Sequence, residues 1–177
     1  VVKVLVGKDR EEYIIHKQVL TRSSPFFQSA MKRQWAERRK EPNTVELLDD
    51  NSAAFTLYSQ WLYTGSIPTA EESLREVPYR DLVHAYLLGD KLMDFQFQNS
   101  VVTSMIAVEA EYGMYPSSQD IHDIYDCTPE SSPARQLFVD FYARAVSNNE
   151  DWNANLEGCP QQFLVKVIQV RLDLGHA

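Results

Sequence analysis

Cysteine is scarce in this sequence: Cys127 and Cys159 are the only two among 177 residues. Two thiols make no disulfide framework, and a chain of this length buries about 70% of its unfolded surface without one. They read as ordinary reduced side chains of an intracellular compartment, cytoplasm or nucleus, and neither has metal-ligand spacing to a neighbour. Long apolar runs are missing too, none approaching the ~20 residues of a membrane-spanning helix, so no membrane association is expected. The six glycines are scattered. They form no G-x-G-x-x-G, P-loop or G-x-S-x-G pattern, which leaves phosphate cradles and nucleophile elbows without a signal. The chain opens on Val1 rather than Met, and its N-terminus is expected to have been trimmed.

Positive charge is also short, and unevenly so. The net charge is −8, and no Lys or Arg occurs from Leu92 to Ala134. An acidic body repels phosphate backbones, so no direct contact with nucleic acid is expected. The exception is Lys32 to Lys40, where five of nine residues are basic, one is acidic and Trp35 sits among them. A charge run of this kind is usually a solvated face, but a Trp is rarely left in water.

Punctuation and periodicity predict the elements. "VVKVLV" at 1–6 and "EEYIIH" at 11–16 are β-rich and separated by Gly7-Lys8-Asp9-Arg10, a hairpin pattern. Val1 to Val6, an apolar strand at the terminus, is placed at a sheet edge, where pairing with another chain is invited. Ser24-Pro25 divides a short helix ending near Ser23 from a second carrying Phe26, Phe27, Ala30 and Met31. "TVELL" at 44–48 returns to β character. An Asx-capped helix follows with Phe55, Tyr58 and Leu62 inward and Gly65 as its stop. The next has Leu82, Ala85, Tyr86, Gly89 and Leu92 or Met93 inward, Gly89 admitting a close neighbour at ~1 kcal/mol of propensity. "FQNSVVTSMIAVEA" continues with Val101, Val102, Met105 and Ile106. Beyond Tyr112 only helices are expected, opened at Ser117-Ser118-Gln119-Asp120, Ser132-Pro133 and Pro160. The class is α+β with a helical extension.

Catalytic constellations are not evident. Asp120-x-His122-Asp123 looks faintly metal-like, but neighbours on a helix point to different faces, and a solvated acidic face is the plainer reading. His84 lies beside an apolar stripe as a packed or surface side chain, and His16 reads as a structural histidine bonded to nearby backbone. No isolated carboxyl pair stands in an apolar setting. No enzymatic activity and no cofactor are expected.

In this order, "YIIHKQVLTRSSPFFQSAMK", "TVELLDDNSAAFTLYSQWLYTGSI" and "LVHAYLLGDKLMD" resemble the BTB/POZ domain. The resemblance rests on His16-Lys17, the Ser-Pro-Phe-Phe run at 24–27, and Trp61-Leu62-Tyr63-Thr64-Gly65. It implies a short three-stranded sheet flanked by a helical cluster over residues 1–111, and an all-helical extension over 112–177. "YDCTPESSPARQLFVDFYA" resembles the tail of filamentous-fungal BTB proteins, similar in position to the BACK or 3-box helices of ubiquitin-ligase adaptors. The family implies protein partners and homodimers formed through the first strand and helix, here Val2, Val4, Val6, Val19 and Leu20.

It also implies a hydrophobic-x-Glu motif in the loop before the third strand of cullin-binding adaptors, where Trp35-Ala36-Glu37 stands. Trp is bulkier than the residues usual there, and Arg38 to Thr44 is a longer stretch than usual. Three readings of Trp35 stay open: an anchor for a cullin scaffold, a plug over Phe26, Phe27 or Met31, or a contact with another partner. At the level of function they give an adaptor linking a client to a cullin-type ubiquitin ligase. The alternative is a self-association scaffold in a transcription-linked or other regulatory assembly, with no ligase role.

Overall fold

A computed structural model describes residues 1–32, 41–67, 78–145 and 156–175. These fall into two compact units, Val1–Tyr112 and Gly113–Ala177. Among the described residues there are three strands and eight helices, a mixed α+β fold with a helical C-terminal part.

In the first unit, β1 (Val2–Val6) and β2 (Glu11–Ile15) form the expected antiparallel hairpin, in register Val2↔Ile15 to Val6↔Glu11. Its turn is closed by the Arg10 N–H on the Gly7 carbonyl (3.0 Å). Gly7 has φ +73, the left-handed backbone that favours glycine, and an added Cβ would also lie a tight 3.3 Å from Ser52 Oγ. After α1 (Lys17–Ser23) and α2 (Pro25–Ala30), β3 (Thr44–Leu47) returns parallel to β1, giving the order β2-β1-β3. The terminal strand is therefore central, not an edge as its position in the sequence led us to expect. A parallel partner needs a long crossover, and the α1–α2 segment supplies it, closing the side of β1 that the hairpin leaves open. Val2, Val4 and Val6 alternate into the core, fully buried, while Lys3 and Leu5 face outward.

The helices begin and end where their caps dictate. Ser24 ends α1 and caps α2: its Oγ accepts the Phe27 N–H (3.2 Å) and donates to the Leu92 carbonyl (2.8 Å). In α3 (Ser52–Thr64), Asn51 Oδ1 accepts the Ala54 N–H (2.9 Å), and Gly65 closes the helix at φ +73. At α4 (Tyr79–Lys91) Leu92 is the buried choice and Met93 the exposed one. Gly89 admits α5 (Phe95–Tyr112) as expected, since a Cβ would sit 2.7 Å from Gln98 Cγ and 3.1 Å from Phe97. On α5 the buried set is Phe97, Gln98, Val101, Ser104, Met105 and Val108, with Ile106 turned to solvent.

Asp94 joins these helices. It is fully buried. Its Oδ2 accepts from Ser23 Oγ (2.6 Å) and from the Tyr58 hydroxyl (3.0 Å), and its Oδ1 accepts the Phe97 N–H (3.2 Å), capping α5. Tyr58 is also the hub of an aromatic cluster, with ring centroids 4.8 Å from Phe97, 5.8 Å from Phe55, 6.1 Å from Trp61 and 6.4 Å from Phe27. Burial, then the neighbouring Asp94, pushes its phenol well above the ordinary tyrosine range.

The second unit packs α6 (Ser118–Cys127), α7 (Pro133–Arg144) and α8 (Gln161–Gly175). Ser117 and Asp120 form the capping box expected of their spacing. Arg135 closes the other end of α6, donating to the Tyr125 carbonyl (2.6 Å) and the Thr128 carbonyl, with its guanidinium 4.5 Å from the Tyr125 ring centre. Carbonyls at a helix C-terminus lack partners within the helix and carry its negative dipole end, so a cation there is favoured twice over. Phe163 from α8 meets Tyr142 (5.2 Å) and Tyr125 (5.9 Å), and the Tyr142 hydroxyl donates to the Pro116 carbonyl (2.6 Å).

Two outcomes follow. Asp94→Ala strands the Ser23 and Tyr58 hydroxyls and uncaps α5, a loss of about 3 kcal/mol or more in denaturant unfolding. Asp94→Asn, which keeps an acceptor for the Phe97 N–H, loses less. In the second unit, burial pushes the Cys159 thiol up to about 11, while Cys127 is exposed. Because the folded value exceeds the unfolded one, Cys159 contributes stability that is whole below about pH 9 and drains away toward pH 11. Alkylation at neutral pH, read by mass spectrometry, modifies Cys127 alone until the protein is unfolded.

Candidate protein-interaction surface

The residues with surface to offer are set by the alternation of the sheet. With Val2, Val4 and Val6 turned inward, the outer face carries Lys3 and Leu5 on β1, Glu12 and Ile14 on β2, and Thr44 and Glu46 on β3. Ile14 is 63% exposed. Two ion pairs cross this face, Lys3 Nζ to Glu12 (3.1 Å) and Arg10 to Glu46 (2.5 Å). Both are solvent-exposed pairs and add little stability by themselves. They set an alternating pattern of charge around Leu5 and Ile14.

An open groove of about 1050 Å³ runs along this face, continuing past β3 to Phe26, Ser29 and Ala30 of α2 and to Met93. Met93 stands there at a conformational cost. The Asp94 N–H reaches the Gly89 carbonyl (2.9 Å) and the Met93 N–H the Asp90 carbonyl (3.0 Å), which is the Schellman closure of α4. The position it creates is left-handed, with φ +54 at Met93, where glycine is usual.

Of the residues expected at a dimer interface, Val2, Val4, Val6 and Leu20 have their side chains in the core of this protomer, and only Val19, half-buried on α1, reaches the surface. Within the protomer these four are core, because the inward row of a central strand is what the helices pack against. Trp35, Ala36 and Glu37 lie outside the described residues. Sequence reasoning missed Ile14, although a signal was present: in Ile14-Ile15 only one of two adjacent side chains can face the core.

Two of the histidines are engaged in structure. His16 is held by Tyr63 at the end of α3, through its ring Nδ1 (2.9 Å) and its backbone N–H (3.2 Å) on the hydroxyl. The partner is thus a side chain 47 residues away and not nearby backbone, because the α1 entry lies against the α3 end. His122 Nε2 pairs with the Gly158 carbonyl (2.9 Å), Asp120 with Ser117, and Asp123 with Gln119 (2.9 Å), so the three residues read as faintly metal-like point to three separate partners. Among the described residues, no group of three or more His, Cys, Asp or Glu is arranged to hold a metal, and no helix is long and apolar enough to cross a membrane. A second groove, of about 460 Å³ between α7 and α8, is lined by glutamines together with charged and apolar side chains, and neither groove contains a histidine.

Relieving the left-handed Met93 with Met93→Gly is expected to stabilise the chain by about 0.5–1 kcal/mol, the lost strain outweighing the added chain entropy. A higher denaturant midpoint at unchanged slope checks it.

Comparison with known families agrees with this organisation: residues 2–86 match the family model of the BTB/POZ domain. No curated protein matches the chain.

Proposed function

Because residues 2–86 form a BTB/POZ domain, a family of protein–protein interaction modules that often self-associate, we propose that this chain is an adaptor joining a client protein to a cullin-type ubiquitin ligase. The observation that carries the finer reading is Trp35-Ala36-Glu37, a hydrophobic-x-Glu triplet in the connection between α2 and β3. An aromatic side chain seated in a partner pocket can contribute ~2 kcal/mol or more, and a carboxylate beside it fixes register against a donor. The helices after Tyr112 extend the contact in this reading, as a BACK or 3-box-like segment over 112–177. The domain acts through surface, not through reacting groups.

The second reading is a scaffold that self-associates with no ligase role, and the exposed Ile14 on an open sheet edge favours it. Calorimetry of the full chain against the N-terminal region of a cullin separates the two. The adaptor reading expects binding that Trp35→Ala with Glu37→Lys weakens about thirtyfold or more. A folded wild type that does not bind removes it and leaves the scaffold.

A further inference from the structure

The backbone of β2 is oriented to be extended by another strand. On β1, the N–H groups of Lys3 and Gly7 reach the carbonyls of Asn43 and Leu47 (2.9 and 3.1 Å), so residues 3, 5 and 7 face β3, and Val2, Val4 and Val6 face β2. Through the register Val2↔Ile15, Val4↔Tyr13 and Val6↔Glu11, residues 11, 13 and 15 of β2 use their backbone groups inside the protomer. Glu12 and Ile14 present theirs outward. Among the described residues no strand takes that edge.

Edge strands are normally blunted by charge, and Glu11 and Glu12 do so at one end of β2 only. The other end, Ile14-Ile15, carries no charge, and Ile14 stands exposed beside Lys3. Such an edge repels a strand that sets carboxylates against Glu11 and Glu12, and accepts one that sets apolar groups there and its own charge at the opposite end.

We propose that the strand meeting this description is β2 of a second copy, paired antiparallel about a two-fold axis at Tyr13 to make one continuous six-stranded sheet. The proposal rests on the self-association reading above and gives it a surface. In this register Glu12 stands opposite Ile14 of the second copy, and Glu11 opposite its Ile15, so no carboxylates face one another. Centring the axis on Glu12 would set Glu12 against Glu12, which is unfavourable. Both outward-pointing residues of each strand exchange N–H and C=O groups with the other copy. On the outer face one row reads Lys3, Ile14, then Glu12 and Leu5 of the second copy. Lys3, already 3.1 Å from its own Glu12, gains a second carboxylate across Ile14, and the two-fold axis repeats the arrangement. Ile14 loses its exposure between two charged pairs. A strand of five residues covers less than the ~1,200 Å² of a standard interface, so this association is weak and reverses on dilution.

Sedimentation velocity of the full chain from micromolar to sub-millimolar concentration tests it. The wild type is expected to shift from monomer to dimer across the range. Ile14→Glu, which faces Glu12 of the second copy, and Ile14→Pro, which removes an N–H the protomer does not use, each weaken association about tenfold or more, with circular dichroism and thermal midpoint as folding controls. Adding Glu12→Lys to Ile14→Glu restores it to within about threefold of the wild type. A dimer indifferent to both single variants overturns this surface while self-association stands. Failure of the double variant to recover overturns the register. A wild type that stays monomeric throughout overturns self-association and this proposal together.

Discussion

A fully buried carboxyl group is tolerated only where donors converge on it, and at Asp94 three do: a hydroxyl from the end of α1, a phenol from the middle of α3 and a free N–H in the first turn of α5. The requirement runs in both directions. Asp94 needs those donors, and each donor would be stranded in the core without it. Satisfying all of them at once fixes where α1 stops, how deep Tyr58 sits and where α5 starts. The aromatic cluster around Tyr58 and the close approach of α4 and α5 at Gly89 follow from that arrangement. The left-handed residue that the turn into Asp94 demands is Met93, which is how an apolar side chain comes to stand at the groove.

The sheet turns this rigid interior into a surface. Its inner row of valines is used up against the helices, so what the sheet offers a partner is its outer row and, among the described residues, the edges of β2 and β3. Charge along that face alternates and is matched within the protomer. A surface of this kind discriminates by pattern and not by net attraction, as expected of an interaction module, whose specificity is set by which partner leaves no charge unpaired. The second unit solves a similar problem with a different group. Arg135 gathers the carbonyls that end α6, and its planar guanidinium bonds them while lying against Tyr125, which an ammonium would not do equally well.

Local signals in the sequence were read correctly where the deciding physics is itself local. The hairpin from Val2 to Ile15, the Ser24-Pro25 break, the Asn51 cap, the Gly65 stop and the Ser117–Asp120 box each depend on a few adjacent residues and their backbone preferences. Gly89 belongs with them, since a glycine on an apolar helix face has few reasons to be there other than a close neighbour. The candidate site was legible only in part. Nothing within "VVKVLV" says whether one or both of its sides will be paired, because that depends on β3, some 40 residues on. Once β3 is in place, Val2, Val4, Val6 and Leu20 become core and Ile14 becomes surface.

By itself, then, the sequence determined the kind of protein this is: an α+β interaction domain followed by helices, with its elements in the right order and its caps in the right places. Those are consequences of periodicity and of short-range hydrogen bonding. Only the tertiary structure decided which strand lies at the centre, that His16 answers to Tyr63, that Asp94 gathers Ser23 and Tyr58, and which apolar residues face outward. Each of these joins residues far apart in the chain. Their meeting is set by which buried polar groups can be satisfied together and which face of each element is covered, and no single stretch of sequence contains that information.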